Sequence, residues 1–234
     1  MNVLIAEKNL SLKPILKLDW ATHEAAKYAC ENWHYSKKMP VNKTVKVGVW
    51  ENNKFIGVVI FSPGATPQLY KTYNITQQQG CELTRIALSK HITPVSKILS
   101  IALKLLKKSN PGIKLVISFA DTKESHHGGI YQATNWIYVG TACPRKLPKI
   151  NGKFIHERSL SVLVKNGKIK RDQCEWVMAL PKHKYLMPLD DDMRKKISML
   201  KKPYPKRESS KEIVASENHS EEGGENPTDS LHSF

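Results

Sequence analysis

No apolar run in this chain approaches the ~20 residues that a bilayer-spanning helix requires, so insertion in a membrane is not expected. Cysteine is sparse. Cys30, Cys81, Cys143 and Cys174 are scattered with no C-x-x-C pair, which sets aside a disulfide framework and a thiolate zinc site. The first ten residues carry Glu7 and Lys8 where a signal peptide would have a long apolar core. No internal repeat is visible. Together these absences predict a protein of a reducing, cytoplasmic compartment.

Acidic residues are the other shortage, and only in part of the chain. Of 37 lysines and arginines, Lys211 alone lies beyond Arg207, whereas seven of the 21 acids do (Glu208, Glu212, Glu217, Glu221, Glu222, Glu225 and Asp229). Residues 1–207 therefore carry a net charge of +22, far above what solubility needs, and such a body usually meets a polyanion. Residues 208–234 are rich in Ser, Glu, Gly and Asn with few large apolar side chains. They cannot repay the entropy of folding and are expected to be a disordered acidic tail.

At 234 residues the chain can hold one well-buried domain and an appendage. Asp19 or Thr22 can cap a helix from Ala21 to Trp33, with Ala25, Ala26, Ala29, Cys30 and Trp33 on one stripe. Thr44 to Trp50 alternates as a strand, and Phe55 to Phe61 completes a hairpin across the turn 51–54. Residues 66–80 read as a long polar loop bearing Tyr70 and Tyr73. Cys81 to Leu88 reads as a strand, and Thr93 and Pro94 start a helix from Val95 to about Lys108. Lys114 to Ala120 has the length and β-branched content of a buried strand, and Trp136 to Val139 is another. Phe154 to Val164 and Glu175 to Leu180 are further strand candidates. Lys182 to Arg207 interleaves Tyr185, Met187 and Tyr204 with basic residues and reads as a basic arm. Its Lys195, Lys196, Lys201 and Lys202 are expected to meet phosphates, an ordinary solvated helix being the plain alternative. The expected domains are 1–180, 181–207 and 208–234.

The densest chemistry lies at the end of the buried strand, Ser118-Phe-Ala-Asp121. A loop with His126, His127 and two glycines follows, then a short helix carrying Tyr131. A carboxylate, a phenol and imidazoles gathered where a strand ends and a helix begins suit a site in an α/β fold. Asp121 could equally cap a loop, and Tyr131 could be a core aromatic. Tyr131, with an ordinary pKa near ~10, suits proton donation at neutral pH better than acceptance. His34, His126 and His127 with a carboxylate suggest the donor set of non-haem iron, although adjacent histidines rarely bind one ion together. Glu82 and Arg85 should face opposite sides of an ideal strand unless a bulge re-aims them, and a surface ion pair is the plain alternative.

The order strand, loop, Tyr-bearing helix, strand, Gly resembles the end of a Gcn5-related N-acetyltransferase (GNAT) domain. The wording "HYS" (34–36), "ELTRIAL" (82–88), "SFAD" (118–121) and "GGIYQATNW" (128–136) resembles the phage Mom family within that superfamily, over roughly residues 20 to 160. This resemblance implies a mixed central sheet with helices on both faces and a V-shaped opening near its middle. It implies modification of adenine N6 in double-stranded DNA to a methylcarbamoyl derivative that shields phage DNA from restriction, in the bacterial host cytoplasm. Catalytic roles are carried over to Asp121, Tyr131, Arg85 and Glu82. Substrate contacts are carried to His34, Tyr35, Ser118, Gln132 and Asn135, the two amides being able to hydrogen-bond adenine. Tyr35, Tyr70 and Tyr73 are candidates to stack on a base drawn out of the duplex.

The donor stays open: acetyl-CoA or a related small molecule, with iron as a further possibility. In acetyltransferases of the superfamily a Gly-rich turn at a helix N-terminus holds the pyrophosphate. Here Ser89-Lys-His-Ile-Thr-Pro-Val-Ser96 has no such glycines, leaving Lys90, Thr93 and Ser96 as phosphate contacts. Two alternatives stand beside this reading, a conventional N-acetyltransferase acting on a protein or small amine and a non-catalytic DNA-binding protein.

Overall fold

The computed structural model describes residues 13–122, 128–142, 146–155 and 157–205. His126, His127 and the acidic tail lie outside the described residues. The framework is a seven-stranded mixed sheet in the order β1-β2-β3-β4-β5-β10-β6. Its strands are β1 (Leu16–Trp20), β2 (Val45–Glu51), β3 (Lys54–Ser62), β4 (Gly80–Leu88), β5 (Leu115–Ala120), β6 (Ile137–Thr141) and β10 (His183–Pro188). β4 and β5 run parallel and the other neighbours antiparallel. The expected α/β class with a mixed central sheet is what the chain adopts.

β3 is buried on both faces, which explains its unbroken apolar run. Helix α1 (His23–Trp33) is capped by the Thr22 hydroxyl, which accepts from the Ala25 amide at 3.2 Å. It lays Ala26, Ala29 and Cys30 on Val58, Ile60 and Ala87. Val59 and Phe61 alternate to the other face, where α3 (Val95–Ser109) buries Ile98, Leu99, Ala102, Leu103 and Leu106. Thr93 does not cap α3 as expected, because its hydroxyl is donated to Glu51.

Three stretches differ from the sequence reading. Tyr70 and Tyr73 are not loop aromatics open to a ligand. Tyr70 sits in the short helix α2 (Gln68–Lys71), and both rings belong to a core with Leu115, Ile117 and Leu186, the Tyr70 hydroxyl donating to the Pro63 carbonyl at 2.9 Å. Residues 154–164 are not a strand. After β7 (Lys146–Ile150) and the two-residue β8 (Lys153–Phe154) comes helix α5 (Glu157–Lys165), whose Leu160, Leu163 and Val164 form an i, i+3, i+4 stripe with Leu160 fully buried.

The expected basic arm is the third. Residues 183–188 are β10, inserted between β5 and β6, and 191–198 are α6 (Asp191–Ser198), which buries Met193 and Ile197. The flanking lysines hide an apolar run, Tyr185-Leu-Met187, that is buried on both faces of the sheet. Since β6 and β10 are neighbours, residues 142–182 form an insertion between them. Its β7, β8 and β9 (Glu175–Met178) make a separate three-stranded sheet in the order β8-β7-β9.

Candidate active site

The site begins where two strands part. β4 pairs with β5 over three positions, Gly80↔Leu115, Cys81↔Val116 and Glu82↔Ile117, and the pairing stops there although both strands continue. The resulting opening is bridged at its vertex by the Ser118 hydroxyl, which donates to the Leu83 carbonyl at 3.1 Å. Ser118 has a single hydroxyl hydrogen, and the Leu83 carbonyl takes it. The 2.8 Å contact between Ser118 Oγ and Tyr131 Oη therefore has Tyr131 as the donor. A chain from phenol to hydroxyl to carbonyl thus crosses the gap between strands.

On the other side of the gap, β4 is bulged. Ser62 faces Glu82 and Ile60 faces Arg85, while Thr84 between them has no partner across the ladder. Ser62 and Ile60 are two apart and share a face, so the extra residue puts Glu82 and Arg85 on one face too. The ideal-strand expectation of opposite faces is replaced by the bulged alternative. Arg85 is held by its own bulge, Nη1 donating to the Thr84 carbonyl at 2.7 Å and Nε reaching the Lys38 carbonyl at 3.4 Å. The guanidinium therefore ties β4 to the loop that follows His34-Tyr35-Ser36.

Burial sets the electrostatics. Desolvation raises the Glu82 carboxyl above its ordinary 4.5, against the opposing pull of Arg85, Lys182 and the Ala65 amide. Desolvation likewise pushes the Tyr131 phenol up to about 12, with Tyr35 and Glu82 within electrostatic reach. Tyr131 is thus protonated throughout the neutral range. Its ring stacks on Tyr185 with centroids 4.7 Å apart and meets Trp136 edge-on at 5.0 Å. Tyr131 is placed by α4 (Gly129–Gln132), which Gly128 opens at φ 76. A Cβ on Gly128 would lie 2.4 Å from the Tyr185 ring, so glycine is required both by the left-handed backbone and by the close approach.

The remaining expected residues divide. Asp121 follows the end of β5 and forms a 2.7 Å ion pair with Lys182, the residue before β10. Lys182 also reaches Glu82 electrostatically, so Asp121, Lys182, Glu82 and Arg85 make one run of alternating charge. His34 is buried. Its Nδ1 accepts from the Ser36 amide at 3.0 Å, which leaves the proton of a neutral ring on Nε2, and the ring lies 4.2 Å from the half-exposed Tyr35 ring. Gln132 ends α4. Asn135 is exposed and has φ 59, which makes it the left-handed turn into β6. Lys182 and Tyr185 escaped the sequence reading as site residues. The signal was the apolar triplet at 185–187, overshadowed by the lysines around it.

The expected phosphate cradle is partly occupied by the protein itself. The buried Glu51 carboxylate accepts from the Ile92 amide at 2.9 Å, the Thr93 amide at 2.8 Å and the Thr93 hydroxyl at 2.6 Å. These bonds, that of Thr93 foremost, hold the Glu51 carboxyl below the usual carboxylate range. Thr93 thus has an anion already, while Lys90 is exposed on the same loop and Ser96 is half-buried in the first turn of α3. β4 beyond Glu82 is left unpaired by β5, whereas the Thr93 amide and hydroxyl are already taken by Glu51. Iron finds no support, since the described residues contain no group of three His, Cys, Asp or Glu able to hold a metal. A cavity of about 290 Å³ between β3, β4 and α3 is lined by Phe61, Cys81 and Leu106 and contains none of the site residues. Among the described residues no helix is long and apolar enough to cross a membrane.

Residues 15–206 match the Mom protein family. Methylcarbamoylase mom of Escherichia phage Mu is 26% identical over 138 residues, covering 57% of this chain and 57% of that protein, so the chain spans little more than half the length of this curated relative. A Bacillus subtilis acetyltransferase solved in complex with CoA superposes with a TM-score of 0.43 at 11% identity, over 76% of this chain and 99% of its own. Aminoglycoside acetyltransferase AAC(6')-Ib, solved with coenzyme A and kanamycin, gives a TM-score of 0.45 at 10% identity over 79% and 98%.

Proposed function

Because the chain belongs to the Mom protein family, we propose that it is a DNA-modifying transferase that converts adenine N6 in duplex DNA to a methylcarbamoyl derivative, protecting phage DNA from restriction in the host cytoplasm. The observation that carries this reading is the hydrogen-bond chain from Tyr131 through Ser118 to the Leu83 carbonyl at the parting of β4 and β5, with a desolvated Glu82 beside it.

In the proposed step the N6–C bond forms as the bond from that carbon to the donor's leaving group breaks. Glu82, which desolvation makes a stronger base than an ordinary carboxylate, takes the amine proton. Tyr131 gives its proton to the leaving group of the donor; because methylcarbamoylation attaches a carbon that is not an acyl carbonyl, direct acyl transfer from acetyl-CoA would not give this product. As the phenolate forms, the Ser118 hydrogen swings from the Leu83 carbonyl to the phenolate oxygen. Asp121, fixed by Lys182, orients the adenine edge together with Gln132, and Tyr35 is the exposed ring beside which an extruded base stacks. Arg85 holds the donor. On the surface, Lys195 and Lys196 of α6 with Lys201 and Lys202, all exposed, contact phosphates without reading bases.

The test is mass spectrometry of nucleosides from plasmid DNA of cells making the parental protein and, separately, Tyr131→Phe. Methylcarbamoyl-deoxyadenosine with the parent and its absence with the variant are expected. Unmodified deoxyadenosine in cells with abundant soluble parental protein would reject the reading.

A further inference from the structure

The insertion between β6 and β10 contributes only Lys182 to the chemistry above, yet it is strongly basic. Residues 142–182 hold ten lysines and arginines against Glu157, Asp172 and Glu175. The insertion is closed at its base by the Ala142 amide donating to the Lys182 carbonyl at 2.8 Å. The Thr122 hydroxyl donates to the Pro181 carbonyl, also at 2.8 Å, and Asp121 pairs with Lys182. The small sheet is therefore rooted at the end of β5, on the catalytic cluster itself.

Its register sorts its side chains. Lys146 faces Met178, Pro148 faces Trp176 and Ile150 faces Lys153, so these six share one face. On that face Pro148 is buried and Ile150 half-buried, while Lys146 and Lys153 are exposed, Met178 is 57% exposed and Trp176 37% exposed. Leu180, two residues on from Met178, is 62% exposed. Large apolar side chains left in water and flanked by lysines mark a surface that is covered in use. An acid-poor surface of this kind is matched by a polyanion, and nucleic acid also offers flat base faces wherever its bases are unstacked.

We propose that this face of the β8-β7-β9 sheet is a duplex-DNA docking surface, with Lys146 and Lys153 on phosphates and Trp176 and Met178 against bases loosened beside the target adenine. The inference rests on the DNA reading above and adds to it a gripping element that the lysines of α6 do not supply. A second set of contacts to the duplex would offset the cost of unstacking one base, a few kcal/mol.

The test titrates the full-length chain with a fluorescent ~20-base-pair duplex from ~50 to ~200 mM salt. The double variant Lys146→Glu/Lys153→Glu should bind roughly tenfold or more weakly at the low end and flatten the log affinity–log salt slope by about 1.8. Trp176→Ala/Met178→Ala should bind about tenfold more weakly with the slope unchanged, and Trp176→Phe should restore most of the affinity. Parental affinity and slope in the lysine variant, whose altered side chains are exposed, would overturn the proposal. A DNA-free dimer in sedimentation that these substitutions dissociate would overturn it too, assigning the face to a second copy. If the parent leaves adenine unmodified while these binding losses appear, the functional reading falls and the surface stands. Full modification with unaltered binding in the variants removes the surface alone.

Discussion

The crevice between β4 and β5 and the small sheet of the insertion share the Asp121–Lys182 pair but break the rules of burial in opposite directions. In the crevice, polar groups are kept inside: Ser118 and Tyr131 are nearly buried and Glu82 is desolvated enough to raise its pKa. On the insertion, apolar groups are kept outside. The first arrangement persists because each polar atom has a partner, which makes the geometry specific and the protons tightly held. The second persists because lysines keep the surface soluble until a partner covers it. The contrast separates chemistry from grip.

The largest expected effect breaks the crevice alone. Tyr131→Phe keeps the ring against Tyr185 and Trp136 and removes only the donor to Ser118, so stability should change by about 1 kcal/mol. Modification, read as modified nucleoside per plasmid, should fall ~100-fold or more. Equal losses of soluble protein and modification would make Tyr131 a packing residue instead.

Glu82→Gln should fall by a similar factor, and its stability sharpens the comparison. A folded pKa above the unfolded value means the folded chain binds the proton more tightly. Stability then declines as pH rises from 4.5 through the raised value, and the acidic form contributes the stability present below that window. Glutamine cannot ionise, so the variant's thermal midpoint should be less sensitive to pH and no lower than the parent's at neutrality. In the parent, the rate should climb with pH across the same window. A midpoint that drops at neutral pH would show that the charge of Glu82 holds the fold.

A smaller effect is expected from Lys195→Glu/Lys196→Glu/Lys201→Glu/Lys202→Glu. Binding should weaken on every duplex alike and the salt slope should flatten by up to about 3.6, with the choice of adenine unchanged. A shift in which adenines are modified would show that these residues read bases. The mildest change is Ser118→Ala, where loss of the relay should cost roughly tenfold in modification with DNA affinity intact. No change in rate would confine Ser118 to bridging the strands.

Much of the framework was legible because its signals are local. The β2–β3 hairpin, β4, α1, α3 and β5 each announce themselves by period and caps within a dozen residues. β10 did not, since a short apolar run between Lys184 and Pro188 gives no period, and burial on both faces comes only from insertion between β5 and β6. α5 was misread because Val162 and Val164 favour extended backbone while the stripe on Leu160 favours a helix. Tyr70 and Tyr73 look free in a polar segment and are core only because α2 folds under the sheet.

By itself the sequence determined the class of the fold, the basic body, the family, and the stretches 82–88, 118–121 and 128–136 from which the site is drawn. Only the tertiary structure decided which of those residues meet. The bulge at Thr84 turns Glu82 and Arg85 to one face, and the parting of β4 from β5 lets Ser118 reach both Leu83 and Tyr131. Glu51, distant in sequence, takes the amides where a phosphate was expected. The physical reason is one of range. Propensity and periodicity act over a few residues, whereas register, desolvation and the partner of a buried polar group depend on strands brought together from distant parts of the chain, as the Ser118–Leu83 bond across 35 residues shows.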